Sequence, residues 1–192
     1  MASASHLPDS PAGYGIVTRA LHWGMAGLFL WQFASALLRV FAEDTGVERL
    51  FWSTHYSVGF TLWLLVLVRG VWGLANLHRR PRPEGSPAMA RAARAGHLAL
   101  YGLMVAVPSL AILRAVGGTR GFSVYGVQLA APREAAVAWL TAPANALHGL
   151  LGWALLALIV GHVAMALYHT RIRRDGTLER MTRGHRGEAA LT

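Results

Sequence analysis

The last apolar segment, Asn145 to Tyr168, carries no charged side chain and is long enough to cross a bilayer as a helix. Its strongly polar side chains near the middle are two histidines, His148 and His162, 14 positions apart. At about 100° per residue that interval is nearly four whole turns, so both imidazoles leave one face, about 21 Å apart along the axis. Ionisable side chains inside a membrane are costly and mark function by default. A single one is accounted for by a hydrogen bond to a neighbouring helix. Two on one face, with Gly149, Gly152 and Gly161 leaving room beside them for something flat, suit one metal centre on each side of the bilayer and hence an electron path.

The rest of the chain agrees with a membrane setting. It is 54% hydrophobic and 14% charged, too apolar for a soluble domain of 192 residues, and reads as one integral membrane domain over 1–192. With no cysteine, disulfides, iron–sulfur clusters and covalent haem attachment are excluded, so any haem is held by side-chain ligands alone. The net charge of +9 comes from 18 basic residues, all arginine. They flank apolar spans rather than covering a soluble face, which favours a membrane over nucleic acid.

Taken in order, Met1 to Gly15 is polar, lacks a secretory signal and reads as a cytoplasmic tail. Spans are expected over about 16–40, 52–74, 95–116 and 145–169, an all-α integral membrane four-helix bundle. The connector Phe41 to Phe51 holds Glu43, Asp44, Glu48 and Arg49 and is expected outside. Asn76 to Arg94 has five arginines against one glutamate, and Thr170 to Thr192 six against three acids. By the positive-inside rule both lie in the cytoplasm with both termini. Pro108 is expected to kink the third span. Gly117 to Pro143, with Phe122, Tyr125 and Trp139, is expected as an interfacial segment on the outer surface.

Alternating the helices puts His22 and His162 towards the inner side and His55 and His148 towards the outer. Two neutral imidazoles at one depth suit a low-spin, six-coordinate haem that passes electrons. The pairs are therefore His22 with His162 and His55 with His148. Zinc or copper would find too few ligands at either depth, and no Asp or Glu within the four spans offers a proton relay. His97 competes for the inner site, or else bonds a haem propionate or headgroups. Arg69, deep in the second span, is matched either by an inner propionate or by inner headgroups. His6, His78 and His185 lie in polar flanks and read as solvated.

Leu21-His22-Trp23, His55 with Gly59, Val68-Arg69, Gly96-His97-Leu98 with Tyr101, and the pair His148 and His162 occur in the order seen in the bacterial cytochrome b561 family, which the chain resembles from about Tyr14 to Met181. The resemblance implies a four-helix cytochrome of the inner (plasma) membrane with two haem b groups, its ligands falling on His22, His55, His148 and His162. It also implies exchange of electrons with the quinone pool, and one activity of the family is oxidation of superoxide at the periplasmic side with reduction of ubiquinone. The alternative is a haem b membrane subunit that joins a partner hydrogenase or dehydrogenase to quinone. Arg39, Arg114, Arg120 and Arg133 on the outer side would draw a small anion by electrostatic steering. For quinone, the expected site is Tyr168 and His169 at the inner end of the last span, where an apolar slot would end in hydrogen-bonding groups. His169 projects from nearly the same face as His162 and, as an imidazole, can give or take a proton near neutral pH.

Overall fold

The apolar stretches form four long helices, α1 (Ile16–Phe41), α2 (Gly46–Ala75), α3 (Pro87–Gly117) and α4 (Ala138–Tyr168), each long and apolar enough to cross a membrane. The computed structural model describes residues 7–81 and 86–184. His6 and His185 lie outside the described residues.

The helices outrun the expected spans. At about 1.5 Å per residue, the 31 residues of α3 extend about 46 Å, against a hydrocarbon core of about 30 Å. The extra first turns of α2 and α3 carry charged residues, which an apolar window does not register. The starts of these two helices are set by caps. The Thr45 side chain accepts from Glu48 N–H to open α2, and Ser86 accepts from Met89 N–H with Pro87 at the first turn of α3. The connector expected from Phe41 to Phe51 therefore shrinks to 42–45. Glu48 belongs to α2, is buried, and meets Arg39 at 3.1 Å. Helix α3 runs unbroken through Pro108.

The segment before α4 holds a hairpin of β1 (Phe122–Val124) and β2 (Val127–Ala130). Tyr125 and Gly126 both have positive φ, 48° and 82°, the two-residue turn that matches strand twist. Tyr125 tolerates that conformation because it is tied to α2: its N–H donates to Ser57 Oγ at 3.1 Å and its hydroxyl meets Thr61 Oγ1 at 2.9 Å. Phe122 and Val124 are buried under the turn. After α4 come a five-residue π-helical turn, His169–Arg173, and a short helix, α5 (Thr177–Thr182).

Helices α1 with α2 and α3 with α4 pack as antiparallel pairs, joined mainly through α2 and α3. The core of Met25, Val58, Leu62 and Val66, with Phe29, Met104 and Val105 against it, fills the middle level. The backbone of α4 packs on α3 and not closely on α1 or α2; it approaches those two helices through His162 opposite His22 and His148 opposite His55. One end of the bundle carries residues 7–15 and α5, and is called the termini end below. The other carries the 42–45 connection and the hairpin.

Candidate haem sites and the termini-end histidine

At the hairpin end the structure brings together His55 of α2 and His148 of α4, with ring centres 6.5 Å apart. The second ring nitrogen of each is occupied. Ser35, wholly buried, donates its own proton to the Gln32 carbonyl at 2.6 Å, so its oxygen accepts from His55 Nδ1 at 2.7 Å. His148 Nδ1 donates to the Val107 carbonyl at 3.0 Å. With Nδ1–H engaged, each imidazole offers the bare Nε2 that a metal needs. The surrounding cavity is apolar, walled by Phe29, Phe33, Met104 and Ile112, with Arg39 and Arg114 also lining it.

At the termini end His22 of α1 and His162 of α4 have ring centres 6.2 Å apart. His97 of α3 stands on the other approach to His162, at 5.5 Å, with Nδ1 bonded to the Ala93 carbonyl at 2.7 Å. Arg69 donates from Nη2 to His22 Nδ1 at 3.0 Å and from Nε to the Tyr101 hydroxyl at 3.1 Å. A guanidinium can only donate, so in this arrangement the His22 proton sits on Nε2.

These residues fit a haem held by two imidazoles. Metal–nitrogen bonds of about 2.0 Å and ring radii of about 1.1 Å separate the ring centres by about 6.2 Å. Both facing pairs match that spacing, while His97 to His162 falls short of it. A Cβ added at Gly149 or Gly152, which line the cavity with His148, would meet nothing within 4 Å, so α4 borders open space beside His148. Among the described residues no three of His, Cys, Asp or Glu converge as a cage for a bare ion. The porphyrin's own four nitrogens remove that requirement.

His169 is half-buried in the π-helical turn, with Nδ1 at 2.5 Å from Asp175 Oδ2. Sequence reasoning passed over Asp175, which lies in a polar tail. It also passed over Ser35 and Gln32, whose Nε2 donates to the His55 carbonyl at 3.1 Å.

The family model for prokaryotic cytochrome b561 matches residues 13–184. The chain belongs to the prokaryotic cytochrome b561 family. It is accordingly a membrane protein of haem b electron transfer. Over 175 residues it is 35% identical to cytochrome b561 homolog 2 of Escherichia coli (strain K12), covering 90% of this chain and 93% of that protein. It is 29% identical to the probable superoxide oxidase CybB of Yersinia pestis over 175 residues, 91% of this chain and 98% of that protein. A third relative, cytochrome b561 homolog 1 of Escherichia coli (strain K12), is 29% identical over 168 residues, 84% of this chain and 92% of that protein.

Proposed function

We propose that this cytochrome b561 holds two haem b groups, one between His22 and His162 and one between His55 and His148, and passes electrons across the membrane to the quinone pool. The observation that carries the reading is the spacing of the two imidazole pairs, 6.2 and 6.5 Å, at opposite ends of one bundle. Bound haem supplies one-electron transfer. The chain supplies axial nitrogens, an apolar wall that excludes water, and Arg69 at the termini end.

Arg69 also supports the termini-end site. His22 would hold iron through Nε2 in the tautomer with its proton on Nδ1, and Arg69, which lies beside that nitrogen, would be the cation available to a haem propionate.

The direction proposed is oxidation of a small reductant at the hairpin end and reduction of ubiquinone at His169. Superoxide is the proposed reductant. It is supported by the name of the Yersinia pestis relative and by Arg114, Arg120 and Arg133 at the hairpin end, where positive potential steers an anion inward; Arg39, at the same end, is paired with Glu43 and Glu48.

Haem stoichiometry by pyridine haemochrome should give two b haems per chain. His148→Ala should abolish the hairpin-end haem and His162→Ala the other, each leaving half the haem absorbance. One haem in the parent would sink the two-site reading. For the donor, the purified holoprotein should show haem reduction on superoxide generation, abolished by a dismutase. No such reduction, with a dehydrogenase or hydrogenase co-purifying in stoichiometric amount, would make the chain a membrane subunit of that partner instead.

A further inference from the structure

The π-helical turn does something that a continued α-helix could not. Residues six apart on an α-helix point to different faces, yet His169 and Asp175 touch. The turn over His169–Arg173, the left-handed Arg174 (φ 52°) and the left-handed Gly176 (φ 73°) fold the chain back so that the Asp175 carboxylate meets the imidazole. π turns are rare and concentrate at functional sites. Asp175 is 9% exposed at its side chain and is held by several donors. Oδ1 accepts from Thr177 N–H at 3.2 Å and from its hydroxyl at 2.7 Å, and Oδ2 from Arg173 Nε at 3.3 Å as well as from His169. Burial alone would raise its titration point, but the bonds from Thr177 and His169 outweigh that and hold the carboxyl below the usual carboxylate range.

An ionised Asp175 fixes the tautomer of His169. Nδ1 is the donor, and Nε2, which has no protein partner among the described residues, is the nitrogen left for a ligand. The groups facing the pair are Arg173, the Tyr168 ring at 5.8 Å from His169, and Thr177 of α5, with Arg180 Nη2 reaching Thr177 Oγ1 at 3.5 Å. On the α3 side Met89 packs on Arg173.

We infer that Asp175 is a positioning residue for proton delivery by His169 to a quinone, an inference that rests on the quinone reading above. A neutral His169 with Nδ1–H on Asp175 presents a lone pair at Nε2. When it takes a proton from cytoplasmic water, the carboxylate offsets the charge and Nε2–H becomes a donor. It hydrogen-bonds the quinone oxygen, and as electrons arrive one at a time through the cytochrome the N–H bond breaks and the O–H bond forms. His169 returns to neutral with Asp175 still on Nδ1, ready to accept from the new quinol hydroxyl. Two electrons and two protons complete the quinol, the proton on the far oxygen coming from solvent.

Asp175→Asn tests this because its geometry dictates the result. The two Thr177 donors keep the amide oxygen, so the amide NH2 faces His169 Nδ1 and forces the proton onto Nε2. The variant can still hydrogen-bond a quinone, but it cannot release that proton without leaving an anionic ring. In the full-length holoprotein, with a short-chain ubiquinone as the probe, kcat for haem reoxidation should fall by about 10-fold or more, in the range set by removing such orienting partners. KM should stay within about twofold, both haem spectra should be unchanged, and the solvent deuterium isotope effect on kcat should rise. Asp175→Glu should recover part of the rate. Thr177→Ala removes the hydroxyl bond to the same carboxylate while keeping the backbone N–H bond and the His169 contact, and it should react like the parent. If it slows as much as Asp175→Asn, the effect is structural and the inference fails. Should His169→Ala be slow while Asp175→Asn matches the parent, Asp175 has no such role although the quinone reading survives. If both match the parent, quinone does not bind here.

Discussion

Arg69 and Ser35 play opposite parts at the two candidate sites. Ser35 accepts a hydrogen bond from His55 Nδ1–H and leaves Nε2 bare, whereas Arg69 donates one to His22 Nδ1 and so puts the ring proton on Nε2. One partner prepares its histidine for a metal; the other favours the opposite tautomer. A guanidinium beside a haem stabilises the reduced, more negative form, so removing it should lower the midpoint potential. Arg69→Gln should shift one of two haem potentials downward by about 60 mV, a tenfold change for a one-electron couple, and leave the other in place, as read by a spectroelectrochemical titration. An equal shift in both, or in neither, would place Arg69 away from the termini-end haem. His148 and His162 stand out in the sequence because the interval of 14 residues puts imidazoles at two depths on one face, and alternating the helix directions brings His22 and His55 to the same two depths. Ser35 and Asp175 could not, because neither type is costly where it stands until its partner is known.

The ends of the elements show a similar division. Helix α2 opens with Thr45-Gly-Val-Glu48 and α3 with Ser86-Pro87, both start signals readable in the chain. Hydropathy alone began these spans six and eight residues later, at Trp52 and Ala95 rather than Gly46 and Pro87, because charged turns such as that holding Glu48 and Arg49 look like loop. The fold-back after α4 was harder to foresee, since it needs a π turn and left-handed backbone at a non-glycine residue, Arg174. Asp175 stabilises that fold-back with a definite dependence on pH. Its folded-state titration point lies below the unfolded one, so its contribution is complete above about pH 4, the ordinary carboxylate value, and is lost only as pH falls through the lower folded value. Hydrogen exchange at Arg180 and Arg183 N–H, which bond the Gly176 and Glu179 carbonyls, should therefore show constant protection from pH 7 to pH 4 after correction for intrinsic rates. Asp175→Asn should lose protection at both pH values. Protection in the parent that falls already between pH 6 and pH 5 would assign the junction to another group.

For the whole molecule, the two candidate sites matter only with a direction across the bilayer. The chain sets that direction by charge. Arg79, Arg80, Arg91 and Arg94 stand at the termini end with Arg171, Arg173, Arg174, Arg180 and Arg183, against Arg39, Arg49, Arg114, Arg120 and Arg133 at the hairpin end. Arginine-rich short loops are retained in the cytoplasm, and on that rule we propose α5 and His169 inside and the hairpin outside. On this proposal electrons moving from the hairpin end to the termini end would travel inward, and protons used at His169 would come from the cytoplasm. The absence of cysteine makes this directly measurable, since any single introduced thiol is the only one to label. Gln128→Cys, exposed in the hairpin, should react with a membrane-impermeant maleimide in spheroplasts. Ser86→Cys at the start of α3, exposed at the opposite end, should react only after the membrane is opened. The reverse pattern would turn the protein over, placing His169 on the outer side and its protons in the periplasm.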